Sequence, residues 1–181
     1  MSELRVNRII PRDGLPAGAS GGGIIQVVQS VETGTATMTG GSTPLSVLSA
    51  SITPSSSSSK VLVLVDMNVG SSNGYNTTIR LYRGGTQVYF GDASTNRPRV
   101  SKTANIYLNA STPYMQMPVH LNYLDSPAAS PGTSVTYDVR IAAYSTVGAS
   151  FNRSWADQND ATNSEYDGRN ASSITLMEVS V

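Results

Sequence analysis

The chain has 181 residues, enough for one domain with a real core plus a tail. It contains no cysteine, which excludes disulfides and thiolate metal sites. Twelve Lys and Arg balance twelve Asp and Glu, so the electrostatic footprint of a nucleic-acid binder is missing; with only 13% of residues charged, little repulsion keeps copies apart.

Residues 1–23 open without an apolar h-region, so no signal peptide is expected. No apolar run in the chain reaches the roughly 20 residues of a membrane helix, so no membrane insertion is expected. This stretch holds Arg5, Arg8, Arg12, Pro11, Pro16 and five glycines, a density that does not fold alone. It reads either as a flexible tail or as an extended anchor that pairs with another subunit by strand addition. In the second reading Leu4, Arg5, Val6, Arg8, Ile9, Ile10 and Arg12 carry the contact.

From Ile24 to the last residue the signals are strands, giving a head domain over 24–181. Residues 24–31 place apolar side chains at 24, 27, 28 and 31, a helical spacing. Their β-branched Ile and Val, with no preceding cap, favour a strand. Residues 33–43 read as a Thr/Gly loop, 45–53 as a strand, and Pro54 with the five serines at 55–59 as a turn. The strongest strand is 60–69: Val61, Val63, Val65, Met67 and Val69 make one apolar face, and Leu62 and Leu64 make the other apolar too. A strand apolar on both faces is buried on both. One face fills a core, and the other requires a second layer or a neighbouring subunit.

Residues 77–83 and 86–90 flank Gly84-Gly85 and predict a tight hairpin. A polar loop spans 91–102, and Ala104, Ile106 and Leu108 alternate over a short strand. Residues 114–124 alternate cleanly, with Pro118 on the outer face indicating an edge strand or bulge. A turn at 125–132 leads to a further inward face at Val135, Tyr137, Val139, Ile141 and Ala143. After a long polar stretch at 151–173, residues 174–181 close the chain, and their apolar phase shifts between Leu176 and Met177, which predicts a bulge. Eight or nine strands and no convincing helix predict an antiparallel β-sandwich of jelly-roll type.

The chemistry-bearing inventory is thin. His120 is the only histidine and lies on the polar face of a predicted strand, where an ordinary surface or interface role outweighs catalysis. Asp157, Asp160, Glu165 and Asp167 cluster in the long polar stretch without calcium-loop spacing. No enzyme activity, metal or cofactor is expected. The same stretch carries the only tryptophan, Trp155, with Asn152, Arg153, Asn159, Tyr166 and Arg169. An aromatic face beside amide and guanidinium donors suits a sugar, so these six residues are the candidate contact for a host surface glycan. A tryptophan packed as the private core of its loop is equally compatible.

Several segments, taken in order, resemble a known group of proteins. They are Leu4-Arg5-Val6-Asn7-Arg8-Ile9-Ile10-Pro11, the Gly-rich run into Ile24-Ile25-Gln26-Val27, Lys60 through Val65, Arg80-Leu81-Tyr82-Arg83-Gly84, Leu124-Asp125-Ser126-Pro127 and Ser173 through Val179. The chain is similar to bacteriophage virion proteins of tail-fibre type, especially those of phages of marine bacteria and cyanobacteria. The resemblance implies a jelly-roll head, tumour-necrosis-factor-like and trimeric, and an N-terminal segment that docks on other virion proteins. A long repetitive shaft is missing here, which favours a short appendage, a capsid decoration or cement subunit, or a baseplate accessory. A homotrimer is expected, with Leu62 and Leu64 at the interface.

Overall fold

The computed structural model describes residues 23–39, 41, 43–72, 76–105, 114–144, 146–157 and 167–180. Within these the chain is all-β, two antiparallel sheets packed face to face as a sandwich, with no helix among the described residues. Of the expected anchor at 1–23, residues 1–22, with all seven candidate contacts, lie outside the described residues.

The first sheet, sheet A, is centred on the strand the sequence marks most strongly, β4 (Lys60–Ser71). One edge of β4 pairs with β8 (Gln116–Asp125) over Val61 to Gly70. Its other edge is shared end to end by two strands: β11 (Ser172–Val179) along Lys60 to Asp66, and β10 (Ala149–Phe151) along Val69 to Ser71. The next position is shared in the same way, β1 (Ile24–Glu32) pairing with β11 and β2 (Ala36–Met38) with β10. Sheet A is thus four positions deep.

Sheet B is built alike. It runs β3 (Leu45–Ile52), β9 (Val135–Ala142), β5 (Asn76–Arg83), and then β6 (Thr86–Val88) and β7 (Lys102–Asn105) end to end on the free edge of β5. The β5–β6 turn is the expected hairpin: Gly84 and Gly85 both take positive φ, at 53° and 83°, which glycine adopts without a Cβ clash.

The core lies between the sheets and follows the period-2 pattern. Val61, Val63, Val65, Met67 and Val69 face in from β4, Ile79 and Leu81 from β5, Tyr137, Val139 and Ile141 from β9, Ile174 and Leu176 from β11. Pro118 is exposed on β8, an edge strand, as its missing N–H requires.

Five local expectations change. β2 falls within the segment read as a loop, and β10 ends on a residue assigned to the polar stretch; each is only three residues, too short to leave a periodic signature. The hairpin's second strand stops at Val88, because Tyr89 turns to positive φ. β7 begins at Lys102, ahead of the predicted alternation, whose Ile106 and Leu108 lie outside the described residues. The bulge expected between Leu176 and Met177 does not form: both stay in continuous register with β4, and the irregularity falls in β1, between Ile24 and Gln26.

The apparent phase shift in β11 has a different cause. Glu178, not Met177, points inward, and it is buried. The serine run receives it: the Ser55 N–H and hydroxyl each donate to Glu178 Oε1 at 2.7 Å. Burial works against this charge, but the Ser55 hydroxyl and the Ser55 and Ser56 N–H groups outweigh it and hold the carboxyl below its ordinary range. A carboxyl lowered on folding contributes stability above its unfolded pKa, and that contribution disappears as pH falls through the folded value. Glu178→Gln should therefore lower the melting temperature most at neutral pH. The gap to wild type should close below about pH 4; a gap that stays constant from pH 7 to 3 contradicts the carboxylate assignment.

Candidate functional site

Two surfaces matter: the turn that leaves β10, and the outer face of sheet A. The turn begins at Asn152, which is fully buried and has a φ of 59°. Asn tolerates this left-handed conformation better than most residues. It sits at the break between β1 and β2, and its side-chain amide spans that break. Nδ2 donates to the Glu32 carbonyl at 2.8 Å and to the Gly34 carbonyl at 3.0 Å, while Oδ1 accepts from the Ser172 hydroxyl at 2.5 Å. Its backbone is engaged too, N–H to the Asn68 carbonyl and C=O from the Asn170 N–H, both at 3.0 Å.

Arg153 folds back over the same turn. Its guanidinium donates to the Ser154 carbonyl, to the Trp155 carbonyl and to Thr37 Oγ1 on β2, and pairs with Asp157 at 3.2 Å. Asp157 is shared with Arg169 on the returning limb, and Ser154 donates to Asp167. Arg169 also reaches Thr35 Oγ1. Trp155 lies half-buried, its indole directly over Gly148, where a Cβ would come within 2.0 Å of the ring. Gly70 allows the matching approach on β4: a Cβ there would meet Ser150 Oγ at 2.4 Å and the Arg153 carbonyl at 3.0 Å.

The six sequence-predicted glycan contacts are therefore not gathered on an open surface by the described residues. Asn159 and Tyr166 lie outside them. Asn152 is buried and Arg153 makes its hydrogen bonds within the turn, so in the described residues both hold the strand break together. Trp155 is the turn's own packing, and Arg169 alone is exposed, ion-paired to Asp157. Truncating Trp155 to Ala should lower stability by about 2–3 kcal/mol, below the 3–5 typical of a fully buried ring. Thermal unfolding checks this, and an unchanged melting temperature contradicts it.

The outer face of sheet A has the opposite character. Cross-strand pairing sets Val27, Met177, Leu62 and Leu124 in one row across all four positions. Val27 is 57% exposed and Leu124 48%, while Leu62, Leu64 and Met177 are half-buried. Ile24, Ile25 and Val31 extend the apolar surface along β1. The next row is Gln29, Thr175, Leu64 and Asn122, and the one after is Val31, Ser173, Asp66 and His120. His120 Nδ1 lies 3.2 Å from Asp66 Oδ1 at this exposed end. The structure thus brings Leu62 and Leu64 onto one apolar face that no described element covers, and adds Val27, Met177 and Leu124 to it. The inward turn of Glu178 is what sends Met177 outward.

Among the described residues no group of three His, Asp or Glu side chains is placed to hold a metal ion. No protein-family model matches the chain, and no curated protein is detectably similar to it.

Proposed function

We propose that the chain is a structural, non-catalytic subunit of a bacteriophage virion that works as a homotrimer, a short tail-fibre or appendage head that takes part in host attachment. The observation that carries the assembly half of this reading is the apolar row Val27–Met177–Leu62–Leu124 on the outer face of sheet A. A monomer that leaves such a row in water is prone to associate, and a closed three-fold ring buries the same patch on every copy.

The strand order supports the jelly-roll form of the head. β1-β11-β4-β8 faces β3-β9-β5-β6, with the first strand paired to the last and most connections crossing between the sheets. The virion assignment rests on the ordered resemblance of segments from Leu4 to Val179, and in it residues 1–23 dock on other virion proteins. A second reading, a decoration or cement subunit with a purely structural role, is favoured by one observation: the turn at 152–157 spends its donors on its own fold. Antibody raised against the chain, applied to particles released on lysis and viewed by electron microscopy, tests the assignment. Label on the tail, the baseplate or the capsid surface is the expected result and separates the readings; particles that carry no label overturn both.

A further inference from the structure

The outer face of sheet B differs from that of sheet A in having almost no apolar side chain. Its cross-strand rows are Ser46–Arg140–Arg80 and Ser49–Asp138–Tyr82–Gln87, with Thr78 opposite Thr103 alongside. Arg80 and Arg140 are directly opposed on β5 and β9. Like charges in that position destabilise a sheet. A single carboxylate, Asp138, stands beside them, and it is already engaged by Arg140 Nε and by the Ser46 hydroxyl. The Arg140 guanidinium also lies over the Tyr82 ring, its Cζ 4.0 Å from the centroid. Arg80 has no ion pair among the described residues, and its buried Nε has no hydrogen-bond partner among them. Two opposed guanidiniums with one carboxylate between them leave this face with an excess positive charge, which a bound anion would offset.

We propose that the outer face of sheet B binds the carboxylate of an acidic sugar, with Arg80 and Arg140 as the charged anchors and the surrounding hydroxyls as the sugar contacts. A carboxylate suits the guanidinium fork, which grips both oxygens at once. A sugar is favoured over a protein side chain because the face offers Ser, Thr and Gln groups around the charges, whereas the centre of a protein interface is apolar and aromatic. The proposal rests on the attachment reading for the source of the ligand. It moves recognition from the 151–169 stretch to the sheet opposite the assembly face, where a trimer joined through sheet A leaves it free.

The test uses the full chain, with oligogalacturonide as the acidic probe, a neutral galacto-oligosaccharide of equal length, and a glutamate-rich peptide. Calorimetry should show the oligogalacturonide bound, the neutral sugar at least tenfold weaker, and the peptide weaker than the uronide. Arg80→Gln should lower uronide affinity tenfold or more, about 1.4 kcal/mol per factor of ten. Arg80→Lys, which keeps the charge but not the fork, should fall in between. Sedimentation of both variants should match wild type, which separates failure of this site from failure of the assembly. The proposal is overturned if wild type binds no uronide, if the neutral sugar or the peptide binds as well, or if both Arg80 variants bind as wild type does.

Discussion

Asp125→Ala is expected to destabilise the sandwich by about 3 kcal/mol, the lower end of the range for removing one partner of a buried ion pair. Asp125 ends β8 in sheet A and is only 3% exposed. Both of its oxygens accept from Arg83 Nη1 in sheet B, at 2.9 and 2.7 Å, and Oδ2 also accepts from the Tyr137 hydroxyl at 2.7 Å. One carboxylate thus joins the two sheets. Burial first, and then the Asp125 carboxylate, push the Tyr137 phenol well above its ordinary pKa, so it stays a donor at any working pH. Taking the carboxylate away strands a buried phenol and a partly buried guanidinium. Tyr137→Phe removes one donor and leaves the ion pair, so it should cost about 1 kcal/mol. Urea unfolding of the two variants measures both; an Asp125→Ala chain within 1 kcal/mol of wild type contradicts the account.

The second large effect is on assembly. Neighbouring residues of β4 point to opposite faces, so adjacent substitutions should have opposite consequences. Val63→Asp buries a carboxylate with no partner at a fully enclosed position and should abolish folding. Leu62→Asp or Leu64→Asp sets the charge on the outer face, where the free subunit can hydrate it. These chains should fold, with stability within about 1 kcal/mol of wild type, yet associate at least roughly 100-fold more weakly, as for loss of an interface anchor. Circular dichroism reports the fold and sedimentation velocity the association. Leu62→Asp and Leu64→Asp chains that unfold like Val63→Asp would place this face in a core instead.

Much of the sandwich was legible because period-2 alternation is a local signal. β4, β8 and β9 announce their inward faces residue by residue, and Gly84-Gly85 announces its turn. What the sequence hid depends on partners distant in the chain. Glu178 looks like a break in the apolar phase until the serine run, more than a hundred residues away, is brought to it. Asp125 looks like the first residue of a turn until Arg83 and Tyr137 arrive from the other sheet. Asn152, Arg153 and Trp155 have the composition of a recognition surface, and only the break between β1 and β2 reveals that the turn spends them on itself. The pairing of Arg80 with Arg140 likewise needs the register of β5 on β9. Leu62 and Leu64 were readable as an outer apolar face, because two faces of one strand can be compared without knowing its neighbours.

The claim that the outer face of sheet A joins copies of this chain is tested most directly by sedimentation equilibrium of the full-length protein at micromolar concentration. The expected result is a single species of about three times the 19.0 kDa chain mass, reduced to one by Leu62→Asp. A wild-type chain that stays monomeric at that concentration, with Val27, Met177, Leu62 and Leu124 left in water, would contradict it.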